Sequence, residues 1–440
     1  CWPRCSVWPG AAKPVRNIPL PSQWERLGEG SSDINRLIIK PAAVIDGTGA
    51  PARPGQAVVV EEGRIAWLGP AASLGDPGGA QVIEAPNDTL LPGLIDCHVH
   101  LMCPAERCDP ETYMAASDEQ LLVRAVAKAQ AGLRAGVTTM RDLGSRDFLL
   151  MPLRDAIKSG QVLGPRLVLA GPAITRTSGH FHYLGHEADT AGDLRAAVRR
   201  MAAGGVDLIK VMATGGRTTA GTDPEAPQYS AEQLRAAVDE AHGPGLRLTA
   251  HAHGVQGIRN AVAAGADCVE HCSWVGPGDR TAYDPETAQR MVDAGMYVSP
   301  TFGARARMSR DELATELPPV QLEEFWERQE TRFEAMQRMI ELDAKLVASS
   351  DAGMPNTHTH DFALTVGTLV TKLRMSESAA IRAATSLAAE ALGIAAETGT
   401  IAKGKTADLL LVRGDPSRDI SALTRVSHVI RDGSIAVRNT

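Results

Sequence analysis

Eight short apolar runs recur through the middle of this 440-residue sequence, most of them separated by enough chain for one helix. They fall at 93–98, 137–142, 167–170, 208–212, 246–251, 267–271, 297–301 and 345–351. Helix-like stretches occupy 118–135, 153–159, 191–203 and 231–242. Parallel strands cannot be joined by a hairpin and need a crossover of roughly a dozen residues, so strands alternating with helices imply a parallel sheet. Eight such units imply a closed (β/α)8 barrel, a fold whose chemistry is carried where the strands end. Aromatic residues make up only 4%, while Ala, Gly, Val and Leu abound, as tight helix-on-strand packing requires.

The two ends of the chain read differently. From residue 35, β-branched runs such as Ala57-Val58-Val59-Val60 are broken by Asp46-Gly47 and Glu62-Gly63, a pattern of short strands joined by turns. Leu409-Leu410-Leu411-Val412 and Val426-Ser427-His428-Val429-Ile430, followed by Asp432-Gly433, repeat it near the C-terminus. Residues 35–91 and 400–440 are therefore expected to form one small β-sandwich domain around a barrel of 92–399. Residues 1–34 read as an N-terminal extension without periodicity, expected to be disordered or left by processing. A stretch at 303–340, rich in Arg, Glu and Met, reads as a helical insertion: a lid, an oligomer contact or a solvated barrel helix.

Charge and cysteine usage exclude several classes. A formal net charge of −7 provides no basic field for nucleic acid. No run approaches the roughly 18 apolar residues that a membrane helix needs. The seven cysteines, Cys1, Cys5, Cys97, Cys103, Cys108, Cys268 and Cys272, are odd in number and lack paired Cys-x-x-Cys spacing. That argues against a disulfide framework or a structural zinc knot and points to a reducing, cytoplasmic compartment. Periplasmic or secreted placement stays open, because processing could have created this N-terminus.

Potential metal ligands sit at the expected strand ends in one chain order: His98, His100, Lys210, His251, His271 and Asp351. His-x-His at a strand's end aims two imidazoles the same way, and imidazole suits zinc and its neighbours. Any one of these alone reads as an ordinary satisfied polar residue; six potential ligands at strand ends do not. An unmodified lysine has no lone pair and repels a cation, so Lys210 fits such a set only if its charge is removed. His253 falls two residues after His251, on the same side of its strand, and reads as an oxyanion or carbonyl contact or as a helper of the ligands. Cys97 and Cys272 sit beside metal-site histidines but point away by alternation, as packing residues. His358 and His360 follow a loop and read as rim or surface residues.

Pro92-Gly93-Leu94-Ile95-Asp96-Cys97-His98-Val99-His100 resembles the signature of the amidohydrolase superfamily, and Gly399-Thr400-Ile401-Ala402-Lys403-Gly404 extends the resemblance to the C-terminal segment. Ile209-Lys210-Val211-Met212-Ala213-Thr214-Gly215-Gly216, Thr249-Ala250-His251-Ala252-His253-Gly254 and Val269-Glu270-His271 are similar to its imidazolonepropionase-like or prolidase-like subgroup. That subgroup includes Xaa-amino-acid dipeptidases and ochratoxin-hydrolysing amidohydrolases. The resemblance implies two Zn2+ or other divalent ions and an N6-carboxylysine at Lys210. His98, His100 and Asp351 would hold the more buried ion, and His251 and His271 the second. A metal-bridging hydroxide would attack the amide, with Asp351 and His253 as catalytic groups. It further implies His180 and Tyr229 as substrate contacts, although Ser230 beside Tyr229 reads alternatively as a helix N-cap; Arg217, after Gly215-Gly216, is a weaker candidate for the substrate carboxylate. Homo-oligomers are common in the family.

The expected activity is release of a C-terminal amino acid from a small N-acyl amino acid or dipeptide, ochratoxin-type amides of Phe included. Phe181, Tyr183, Trp274 and Phe302 lie near strand ends and suit a hydrophobic side chain. A cyclic-amide hydrolase or deaminase of the same superfamily is the alternative, and an inactive scaffold lies outside it.

Overall fold

The run Leu409-Leu410-Leu411-Val412 is buried on both faces, and this double burial ties the chain ends to the rest of the molecule. Leu409 and Leu411 pack with Leu37, Ile39, Val58 and Ile430 in one core. Leu410 and Val412 point the other way, into the main core of the barrel, as the two-residue repeat of a strand demands. In the computed structural model, which describes residues 36–106, 115–303, 310–314 and 318–439, this strand, Leu409–Arg413, lies antiparallel to Gln81–Pro92, with Leu409 opposite Pro92. Gln81–Pro92 pairs in parallel with Arg36–Val44 on its other side. One mostly antiparallel sheet therefore runs Ser434–Arg438, Val426–Arg431, Leu409–Arg413, Gln81–Pro92, Arg36–Val44, Gln56–Glu61, Arg64–Pro70. The chain leaves this sheet at Pro92 and re-enters it at Leu409. Gly136 lets the barrel approach: its φ is +91, and a Cβ there would lie 2.8 Å from Leu410 Cδ2. The extension expected at 1–34 lies outside the described residues.

Eight parallel strands make the barrel. In order they are Leu94–Val99, Val137–Asp142, the interrupted Arg166–Leu169 and Ala173–Thr175, Leu208–Met212, Arg247–Gly254, Cys268–Gly276, Tyr297–Ser299 and Lys345–Leu346. Neighbours pair in parallel around the ring. The last strand closes on the first where Cys97 N donates to Ala348 O at 3.2 Å and Asp351 N to His98 O at 2.9 Å. The third strand is longer than the sequence indicates. Arg166–Leu169 pairs with the second strand, the chain steps out at Ala170-Gly171-Pro172, and Ala173–Thr175 resumes against the fourth. Pro172 has no N–H to give the ladder, and Gly171 takes φ +65.

Three of the helices that follow strand-end loops start on reciprocal capping boxes. Ser117 with Gln120, Thr190 with Asp193 and Ser230 with Gln233 fix the starts of Asp118–Arg134, Ala191–Ala203 and Ala231–His242. Each box anchors the far end of a loop that begins at the mouth of the barrel. In the stretch expected as an insertion, the helix Pro319–Glu341 buries Leu322, Phe333, Met336 and Met339, so one face is packed rather than solvated. Among the described residues, no helix is long and apolar enough to cross a membrane.

Leu410 is fully buried at the seam between sheet and barrel. Leu410→Ala is expected to destabilise the fold by about 2–5 kcal/mol, the range for a buried leucine whose cavity does not collapse. Calorimetry should show one lowered transition; an unchanged midpoint would mean that the seam contributes nothing.

Candidate metal centre

Histidine rings cluster at the mouth of the barrel, delivered in part as His-x-His pairs from single strands. The first strand presents His98 and His100, whose Nε2 atoms stand 3.3 Å apart. Asp351, after the last strand, brings Oδ1 within 3.4 Å of His98 Nε2 and 3.5 Å of His100 Nε2. Its Oδ2 lies 4.0 Å from His271 Nδ1. His271 also packs on His251 and His253, with ring centroids 4.5 Å apart in both cases. Two groups of possible ligand atoms result, His98 with His271 and Asp351, and His251 with His253 and His271, each within 4.8 Å. His271 belongs to both.

Backbone strain makes this convergence possible. His271 and Asp351 have φ of +63 and +65, and Cys272, Trp274 and Thr301 are also left-handed. Such residues cost free energy and persist only where the surroundings impose them. His271 and Asp351 break the regular alternation within the sixth strand and just after the eighth, where their side chains meet His98.

Lys210 stands among these groups with its ammonium buried and without a hydrogen-bond partner. Burial pushes its pKa down to about 8, against the pull of Glu270 and Asp351. Burial likewise holds His100, His251 and His271 well below the usual histidine range, with repulsion from neighbouring histidines and Lys210 adding to it. Neutral imidazoles keep their lone pairs for a cation. The donor set therefore fits divalent metal ions: imidazole nitrogens, one carboxylate, and a lysine whose charged form burial disfavours.

His180 extends the cluster, its ring 4.5 Å from His251. It is buried, its Nδ1 has no partner, and burial lowers its pKa to about 3. Gly216 makes room for it, since a Cβ there would lie 2.3 Å from the ring. Phe181, at φ +63, lies 4.8 Å from the His100 ring. With Cys103, Tyr183 and Met354 it forms an apolar wall beside the histidines.

Other expected site residues have different partners. Tyr229 is buried in the main core and its hydroxyl donates to Ala188 O at 2.7 Å, so a backbone carbonyl already satisfies it; Ser230 is the N-cap. Arg217 grips Asp279 with both terminal nitrogens, one at 3.0 Å, because that carboxylate offers it a two-pronged partner. His253, expected to contact substrate, has its ring within ligand range of His251 and His271, and its Nδ1 is 2.9 Å from Ser273 Oγ. Cys97 and Cys272 are buried packing residues. Trp274 and Phe302 are buried in the core, and His358 stacks on the exposed His360.

The sequence reading missed the charged residues beneath the histidines. Glu270 Oε2 accepts from His98 Nδ1 at 2.8 Å and Oε1 from Arg141 at 2.7 Å. Burial opposes its charge, but Arg141, His98 and Lys210 outweigh it and hold the carboxyl well below its ordinary range. Asp96, raised by burial to about 7, accepts Ser350 N at 3.0 Å and ties the first strand to the last. One signal was available: a charged residue inside an otherwise apolar strand must be paired.

Comparison with known proteins shows the family and the fold. The Amidohydrolase family model matches residues 89–436. Ochratoxinase of Aspergillus niger is 26% identical over 439 residues, covering 90% of this chain and 86% of its own. Imidazolonepropionase of Cupriavidus taiwanensis is 26% identical over 416 residues, covering 86% of this chain and 90% of its own. The crystal structure of a Xaa-Pro dipeptidase with methionine bound in its active site superposes with a TM-score of 0.80 at 27% identity, covering 92% of this chain and all of the other.

The pH dependence of stability tests the burial of His180. Its folded pKa is lowered to about 3 from 6.5, so below about pH 6.5 the unfolded chain binds a proton that the folded chain refuses, and stability falls. His180→Phe removes that penalty. In metal-free protein, the melting-temperature difference, variant minus wild type, should grow more positive from about pH 7 to about pH 5. A difference that ignores pH would show that His180 is solvated.

Proposed function

The chain belongs to the amidohydrolase family and is a hydrolase of carbon–nitrogen bonds, and within that class we propose a two-metal amide hydrolase that releases a C-terminal amino acid from N-acyl amino acids or dipeptides. The observation that carries this reading is Lys210, a buried amine without a partner in a cluster that already supplies imidazoles and a carboxylate. Addition of carbon dioxide to its neutral amine, with release of one proton to solvent, would form an N–C bond and give an anionic carbamate ligand. His98, His100 and Asp351 would hold one ion, and His251 and His271 the other, with Lys210 between them. Two bound Zn2+ or other divalent ions would supply activated water and a polarised amide carbonyl.

The chain's own groups provide the proton handling. Asp351 is 21% exposed as a side chain while its buried Oδ1 has no hydrogen-bond partner, so the carboxylate is placed to take a proton from water and deliver it to the leaving amine. His253 and His180 border the same space and are the candidate contacts to the carbonyl and substrate. Phe181, Tyr183 and Met354 favour a hydrophobic substrate side chain beside His100. Names among the similar proteins, ochratoxinase and Xaa-Pro dipeptidase, support an amide whose leaving group is an amino acid. A second reading, opening of a cyclic amide, draws on the imidazolonepropionase match over 86% of the chain.

Elemental analysis run beside a panel of N-acyl amino acids and Xaa-Pro, Xaa-Phe and Xaa-Leu dipeptides tests the proposal. The expected result is about two ions per chain and amino-acid release that Asp351→Asn lowers by about 10²–10⁴-fold, the usual contribution of a positioned proton acceptor. One ion with ammonia release would move the assignment to a deaminase. No ion, and no turnover after zinc and bicarbonate are supplied, would leave a non-catalytic barrel.

A further inference from the structure

Glu270 has no exposed surface, and a carboxylate in that position needs partners to remain there. Four donors reach it. Oε1 takes Arg141 at 2.7 Å, Cys268 Sγ at 3.4 Å and the Thr249 hydroxyl. Oε2 takes His98 Nδ1, at 2.8 Å. The division matters: a carboxylate serving only as counter-ion to an arginine is commonly gripped by both prongs of the fork, whereas here the second oxygen is given to a histidine.

Arg141 completes the arrangement from behind. Its Nε donates to the Cys97 carbonyl at 2.5 Å, in the peptide directly before His98. One guanidinium thus holds both the backbone that carries His98 and the carboxylate that grips its ring. Since an ionised carboxylate only accepts, the imidazole proton lies on Nδ1. In the neutral ring Nε2 then carries the lone pair, facing His100 Nε2 at 3.3 Å and Asp351 Oδ1 at 3.4 Å.

We propose that Glu270 is a positioning residue for the metal centre: its carboxylate sets the tautomer and ring plane of His98, and Arg141 sets the carboxylate. The proposal rests on the metal reading given above. It makes the buried network beneath the histidines a determinant of metal affinity, and not only a device for burying two charges.

Two measurements test it. In wild-type protein loaded with Co2+, the His98 Nδ1–H should give a hyperfine-shifted proton resonance that exchanges slowly with solvent; its absence from a cobalt-loaded protein would overturn the proposal. Zn2+ affinity is then measured by chelator competition for wild type, Glu270→Gln and the double variant Glu270→Gln, Arg141→Gln, which removes both charges and leaves no unpaired one. Both variants should hold the first ion about 10–100-fold more weakly, the usual cost of losing a carboxylate behind a ligating histidine. A double variant that binds as tightly as wild type would show that Glu270 merely neutralises Arg141. Should neither variant fold, the cobalt resonance alone decides. Wild-type protein that takes up no metal at all would instead overturn the metal reading, a failure separable from this one.

Discussion

A lysine ammonium buried without a partner is the constraint around which this barrel is organised. Removing such a charge from water costs several kcal/mol unless the group is neutralised or paired. Lys210 has Glu270 and Asp351 in its electrostatic neighbourhood, but Glu270 is already saturated by Arg141, His98, Thr249 and Cys268. That leaves Lys210 without a direct hydrogen-bond partner among imidazoles held neutral, the arrangement on which the proposed modification rests.

The rest of the mouth is arranged to maintain that situation. Left-handed backbone at His271 and Asp351 turns two strand ends inward. Asp96 latches the first strand to the eighth through Ser350, and Arg141 braces the first strand from the second. Arg332, on the helix Pro319–Glu341, reaches back to donate to the His271 carbonyl at 3.2 Å. A segment that looked like an appendage in the sequence therefore supports a ligand-bearing strand end. Each of these contacts is buried, so the geometry is set by packed, hydrogen-bonded elements and not by mobile loops.

The features proposed to face substrate follow from the same closure. His180 approaches His251 only because position 216 has no Cβ, and the apolar wall of Phe181, Tyr183 and Met354 lies beside His100. Trp274 and Phe302, which the sequence suggested for a pocket, are core residues, Phe302 lying under the Arg332 guanidinium at 4.6 Å. Proximity to a strand end did not distinguish the two cases, because a left-handed residue swings a side chain off the face that alternation assigns to it.

What the sequence determined by itself is whatever depends on local periodicity: eight alternating units, the sheet shared by both chain ends, and the order in which His98, His100, Lys210, His251, His271 and Asp351 arrive at strand ends. Those follow from two-residue and helical repeats and from turn chemistry, which are properties of neighbouring residues. Tertiary structure alone decided how these groups are shared. It set His271 between two clusters, drew His253 into ligand range, spent Tyr229 on Ala188 and Arg217 on Asp279, and placed Glu270 and Arg141 beneath His98. The physical reason is that each of those pairings joins residues far apart in the chain across a closed ring of strands. Closure and backbone left-handedness at the strand ends fix such pairings, and no local pattern records either.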